Sequence, residues 1–253
     1  MGTRILIVVL FVLSVLTSSA LTYLMLNKSG ASAAGGDIGA EIEKFIEENP
    51  EAIINGLRKA QMARQEQEEQ ELEKNATELR PQLEQNPADA QAGNKDGDVV
   101  FVAFHDHNCG YCRKSIADIE KLLSEDKGIK FVLKDFPILG PSSVEKAKAS
   151  IAVAKLAPEK WYTFYDKMGH SNARTAEQIF ELAEKELGIS PALLKSEMES
   201  KATENKITEN HALGEQLNIS GTPVFIVNGI VVRGAVGLEA FKEAVAAARA
   251  NKS

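Results

Sequence analysis

Cysteine is scarce in this chain, which has two among its 253 residues, Cys109 and Cys112. A structural zinc site takes four Cys or His ligands, as a rule in separated pairs, and the absence of a second cysteine pair argues against that reading. Strongly basic runs are absent and the net charge is −7. The chain therefore lacks the electrostatic footprint that binding a phosphate backbone requires, and nucleic acid is excluded as a partner. No internal repeat is visible, so the chain is not a stacked array. With 44% hydrophobic and 26% charged residues, what remains is an ordinary soluble composition with one strongly apolar segment attached.

The two cysteines that are present sit together, as Cys109-Gly110-Tyr111-Cys112, at the end of a strand-like run from Val99 to Phe104. Two cysteines at this spacing can close a small disulfide at the start of a helix, and a helix N-terminus stabilises a thiolate at the first of them. Cys109 is then the exposed nucleophile. Cys112, one turn deeper, is the resolving thiol that attacks a mixed disulfide and releases the substrate. Protein thiols are the expected substrates, and the redox-active pair itself takes the place of a cofactor.

The apolar segment follows Arg4 and runs from residue 5 to 26 without a charged side chain, roughly the 20 residues that a helix needs to cross the hydrocarbon core. An uncleaved signal-anchor over residues 1–27 is expected, followed by a small-residue spacer at 28–36. The competing reading is a cleaved signal peptide, for which the small residues around Ala20 or Ala33 would serve as cleavage sites. On either reading the rest of the chain is exported, with the amino terminus on the cytoplasmic side. An oxidising compartment suits a dithiol enzyme of disulfide formation or repair.

Beyond the spacer, Ile38, Ile42, Phe45 and Ile46 fall on one helical face, and Ile53, Ile54 and Leu57 form a second stripe after Pro50, with Asn49 as its cap. Two short amphipathic helices over 37–62 are expected to bury these stripes by self-association through residues 38–57. Packing on the chain's own globular domain or on a membrane surface are the alternatives. Residues 63–87 are helix-favouring but have almost no apolar face. They read as a charged, solvated stalk ended by Pro81, Pro87 and the glycines at 93 and 97.

The remaining order is informative. A strand (98–104) leads through the dithiol into a helix (112–123) and a second strand (128–136), a βαβ unit with the cysteines at its first turn. A largely helical stretch follows over 141–217, capped by Ser142 or Ser143, and then a hairpin with its turn at Asn228-Gly229 and a terminal helix from Leu238 to Ala250.

Three segments, Phe104 to Cys112, Lys134 to Gly140 and Ser220 to Phe225, resemble the DsbA-like thioredoxin-fold family. Within it, the similarity is to the branch that holds the suppressor-of-copper-sensitivity C proteins and the periplasmic disulfide isomerases. The resemblance implies an α/β thioredoxin fold over residues 88–253, in which the helical stretch at about 141–217 is an insertion. It also implies a cis bond before Pro223, Thr222 lying against the dithiol, and substrate contacts at Thr222, Pro223, Gly110 and Tyr111. Thr222 together with Gly110-Tyr111 looks more like the isomerase and reductase members than the strongly oxidising ones. By resemblance, then, the chain is an exported isomerase or reductase of the bacterial periplasm, anchored in the inner membrane or released, with a redox partner that recycles the dithiol. A dithiol oxidase is the alternative.

Two departures from the family pattern stand out. Ala103 occupies the position where many relatives carry a buried carboxyl that serves the resolving thiol, so His105, farther along the same strand face, is the expected proton shuttle. His105 and His107 stand where relatives are commonly aromatic. With Cys109 and Cys112 they compose a His-x-His-x-Cys-x-x-Cys pattern that would suit Cu(I) or Zn(II), giving copper handling as a further alternative. His170 and His211 are read as structural.

Overall fold

The computed structural model describes residues 38–251. The expected signal-anchor and the spacer lie outside these residues. No helix among the described residues is long and apolar enough to cross a membrane. The chain divides into two compact units, Met1–Arg64 and Gln65–Ser253.

In the first unit, helix α1 spans Ile38–Glu48 and helix α2 starts at Pro50. The Asn49 side chain donates back to the Phe45 carbonyl at 3.0 Å and so closes the end of α1. Both apolar stripes are exposed, with Ile38 at 63% and Leu57 at 61%. The second helix is not short, because α2 continues to Glu78 through the stretch read as a stalk.

The second unit corrects that stalk. Leu72 and Ala76, in the last turns of α2, and Leu83, in α3 (Arg80–Glu84), are fully buried. They pack in one cluster with Val102, Phe104, Val132, Val224 and Ile226. The globular packing therefore begins inside the supposed linker. Leucines and one alanine at helical spacing are enough to cover a sheet face when the outward positions are polar, chiefly Glu and Gln.

Five strands form the sheet: β1 (Ala90–Gly93), β2 (Val99–His105), β3 (Ile129–Asp135), β4 (Val224–Val227) and β5 (Ile230–Arg233). Their spatial order is β1-β3-β2-β4-β5. β2 and β3 are parallel, with His105 opposite Asp135, and every other pairing is antiparallel. Strand periodicity sorts β2 between two cores. Val102 and Phe104 face the cluster of Leu72, whereas Val99, Phe101 and Ala103 face the larger core with Trp161, Phe164 and Tyr165.

Helix α4 (Gly110–Glu125) crosses between β2 and β3. The insertion supplies α5 (Pro141–Leu156), α6 (Trp161–His170), α7 (Ala176–Leu187), α8 (Pro191–Met198) and α9 (Lys201–Gln216), and α10 (Leu238–Ala250) closes the domain. Neither Ser142 nor Ser143 caps α5. Gly140 holds the cap position at φ 105°, where a side chain would be strained, and Pro141 opens the helix. Ser143 is buried and accepts a hydrogen bond from Asn108 at 3.0 Å. The buried Asp89 carboxylate, just before β1, takes Lys134 of β3 at 2.5 Å and also pairs with Lys206 of α9, tying the sheet to the insertion.

Candidate active site

The site forms where β2 ends. Its last residue, His105, leads into a three-residue loop, and Cys109 takes the N-cap position of α4 in extended backbone, its carbonyl accepting from Arg113 N at 3.0 Å. The helix thus directs its free N–H groups, with their partial positive charge, at the cysteine end. Asp106 sets the loop. Its Oδ1 accepts from Asn108 N at 2.8 Å, and its Oδ2 accepts from Ile138 N at 2.8 Å and Leu139 N at 3.0 Å. One buried carboxylate therefore fixes the approach to the dithiol and fastens it to the loop after β3.

Both cysteines are reduced, with Cys109 8% exposed and Cys112 fully enclosed. The Thr222–Pro223 peptide bond is cis. It brings Thr222 against both sulfurs: the Cys109 thiol donates to the Thr222 carbonyl at 3.3 Å, while the Thr222 side chain and the Asp106 backbone hydrogen-bond to Cys112. Burial pushes the Cys112 thiol far up, and those hydrogen bonds only partly oppose it. Tyr111 is 69% exposed beside the pair, and Leu139 adds a second exposed apolar side chain on the loop that Asp106 holds.

Beneath the dithiol lies a buried polar cluster of which sequence reasoning found only part. His105 and His107 are each 1% exposed, with ring centroids 4.8 Å apart. The Tyr165 hydroxyl lies 3.3 Å from His105 Nδ1, and His107 Nε2 lies 2.6 Å from Asp135 Oδ1. His105 Nε2 and His107 Nδ1 are buried without a partner among the described residues. Burial, reinforced by the neighbouring His107, holds His105 well below the usual imidazole range, so it is a neutral ring that shares a hydrogen bond with Tyr165 through Nδ1. Burial raises the Asp135 carboxyl, against the hydrogen bond from His107. Tyr165 is pushed well above the ordinary phenol range, chiefly by burial, and it lies within electrostatic reach of Cys112. Asp106, Asp135 and Tyr165 were not singled out in the sequence. The Asp-x-Asn turn just before Cys109 is the one local signal that could have found Asp106.

The His-x-His-x-Cys-x-x-Cys pattern places its two histidines in this buried cluster and its two cysteines at the start of α4. Among the described residues no three His, Cys, Asp or Glu side chains gather to hold an ion. One nitrogen of each histidine is instead taken by Tyr165 or Asp135. His170 pairs with Asp166, and His211 packs its ring 4.8 Å from that of Phe136.

Comparison with known proteins places this geometry. The family model for thioredoxin matches residues 85–247. The probable disulfide bond formation protein D of Bacillus anthracis is 27% identical over 148 residues, which cover 54% of this chain and 68% of that protein. The thiol-disulfide exchange protein alpha-DsbA2 from Wolbachia pipientis superposes with a TM-score of 0.64 at 27% identity, over 70% of this chain and 95% of that one. Proteus mirabilis ScsC, in a transitional conformation, shares the fold at 22% identity and a TM-score of 0.64, over 85% of this chain and 96% of its own. With the family match spanning well over half of its length, the chain belongs to the thioredoxin family, among its DsbA-like thiol-disulfide oxidoreductases.

Proposed function

We propose that the protein is exported to the periplasm and reshuffles or reduces disulfides in other exported proteins through Cys109, acting as a homo-oligomer built on residues 38–57. The observation that carries the chemistry is the pairing of a helix-capping Cys109 with the Thr222 carbonyl at 3.3 Å, above a fully enclosed Cys112. The Cys109 thiolate attacks one sulfur of a substrate disulfide, forming a mixed disulfide and expelling the other sulfur as a thiolate, which takes up a proton. In isomerisation a second substrate thiolate then displaces Cys109, leaving a rearranged substrate bond. In reduction Cys112 attacks Cys109 Sγ instead, closing the internal disulfide and releasing a substrate dithiol.

That second path requires Cys112 to lose a proton in a site that disfavours its charge. Tyr165 and His105 supply the route. The neutral His105 imidazole, reached by the Tyr165 hydroxyl at Nδ1, would take up that proton for the duration of the attack, and the His107–Asp135 pair beside it would offset the transient positive charge. Thr222, Pro223, Gly110 and Tyr111 are the surface on which an extended substrate segment rests, cis-Pro223 offering no N–H of its own. The exposed stripes at Ile38–Ile46 and Ile53–Leu57 support the oligomer, since isolated helices of this kind gain stability by burying such faces.

Refolding of ribonuclease with scrambled disulfides tests the reading, using the purified chain, a Cys109→Ala control and mass in solution. Reactivation that needs Cys109 and an oligomer supports an isomerase, and deletion of 38–57 is expected to leave a monomer that still reduces disulfides but reshuffles poorly. A monomeric wild type that oxidises or reduces a dithiol peptide without reshuffling would replace isomerase by a simple oxidase or reductase.

A further inference from the structure

A polar cleft of about 290 Å³ opens beside the dithiol, lined by Asn108, Arg113, Ser142, Lys146, Ser171 and Arg174. Asn108 immediately precedes Cys109, and Arg113 lies one helical turn after it. Three cations therefore converge next to the nucleophile in a chain whose net charge is −7. No acidic side chain lines the cleft.

Lys146 is the decisive member. It is only 3% exposed, yet it makes no hydrogen bond or ion pair among the described residues. Its stem is covered while its ammonium opens into the cleft, and an ammonium drawn this far out of bulk water is normally paired. Asp106 is the carboxylate that attracts it, but three backbone N–H groups already hold the Asp106 oxygens. Arg113 is fixed by donating to the carbonyls of Gly169 at 2.6 Å and Ser171 at 3.2 Å, which uses two of its N–H groups without neutralising it. Neither Arg113 nor Arg174 forms an ion pair among the described residues. Burial lowers Lys146 from the usual lysine range, and Arg113 and Arg174 push in the same direction, so a bound anion would relieve both effects.

We propose that this cleft is an anion subsite that holds a carboxylate of the incoming thiol or disulfide, so that Cys109 reacts preferentially with acidic partners. The carboxylate could belong to an acidic residue flanking a substrate cysteine or to the C-terminus of a small peptide thiol. Lys146 supplies the central charge, Arg113 and Arg174 the flanking charge, and Asn108 a neutral donor. This inference rests on Cys109 as the nucleophile, and its test separates the two.

The reduced full chain is oxidised in turn by dithiodipropionate, which is anionic, by hydroxyethyl disulfide, which is neutral, and by cystamine, which is cationic, at matched ionic strength. The wild type is expected to react about tenfold faster with the anionic than with the neutral reagent, the discrimination one charge-assisted hydrogen bond supplies. Lys146→Met is expected to remove most of that ratio while leaving the neutral rate in place. Arg174→Gln, at an exposed position, reports the same loss in smaller measure should the buried substitution impair folding. Competing sulfate should slow the anionic reaction more than chloride does at equal ionic strength. Two peptide disulfides, one with an acidic neighbour and a blocked C-terminus and one neutral with a free C-terminus, identify the carboxylate by whichever outpaces a neutral, blocked control. Equal rates for all three small disulfides overturn the subsite and leave the exchange chemistry standing, whereas failure of all three to react overturns both.

Discussion

Replacing His105 by Phe should flatten the pH dependence of folding stability between pH 7 and pH 5. The folded imidazole is held well below its ordinary range by burial and by His107. A base depressed in the folded state refuses a proton that the unfolded chain accepts. The stability it contributes is thus complete above the unfolded pKa and is lost as pH falls toward the folded one. An unfolded imidazole titrates near about 6.5, so the linkage between pH 7 and pH 5 amounts to about 2 kcal/mol. Asp135 works in the opposite sense. Its carboxyl is raised in the folded state, so its contribution is present at low pH and is lost as pH rises through that raised value. The difference between the wild type and the variant, rather than either slope, therefore isolates His105. Phe preserves the ring contacts with His107 and Tyr165, at centroid separations of 4.8 and 5.1 Å. It leaves the Tyr165 hydroxyl without its hydrogen-bond partner, a penalty of about 1–3 kcal/mol that is the same at both pH values. Urea unfolding at pH 7, 6 and 5 should show the wild type losing about 2 kcal/mol more than His105→Phe across the range. Equal losses would refute the argument, because they would mean that the imidazole takes up its proton in the folded protein.

Leu72→Ala should cost about 2–5 kcal/mol in equilibrium unfolding, the range for a fully buried leucine. A loss below about 1 kcal/mol at Leu72 would return residues 63–87 to the role of a solvated stalk. Asp106→Ala strips three backbone N–H groups of their acceptor and should cost about 3 kcal/mol or more, with slower reaction of Cys109 toward small disulfides as the loop loosens. Unchanged stability and rate would show that water replaces the carboxylate without consequence.

The parts of this fold that can be read along the chain are those with a local cause. The βαβ unit was legible because Val99–Phe104 and Ile129–Asp135 are dense in β-branched and aromatic residues and the dithiol sits at the turn between strand and helix. The hairpin was legible because Asn228 and Gly229 supply the positive φ values, 49° and 98°, that its turn needs. Strand β1 was not. Its residues, Ala90-Gln91-Ala92-Gly93, carry no strand propensity, and only antiparallel pairing with β3 makes them a strand. The helix behind Leu72 was misread for a related reason: its outward Glu and Gln residues outnumber the few apolar positions whose burial decides where the domain begins. The same limit applies at the site. Cys109, Cys112 and Pro223 announce themselves by spacing and motif, but the environment that sets their chemistry comes from residues far apart in sequence. Tyr165 lies 60 positions from His105, and Asp135 lies 28 from His107. Two histidines near two cysteines read equally well as metal ligands or as a proton route until their partners are known. With one ring nitrogen taken by a phenol and another by a buried carboxyl, these side chains suit the proton route proposed above better than ligation, and the packing that covers them leaves Lys146 facing the cleft beside Cys109 without a partner among the described residues.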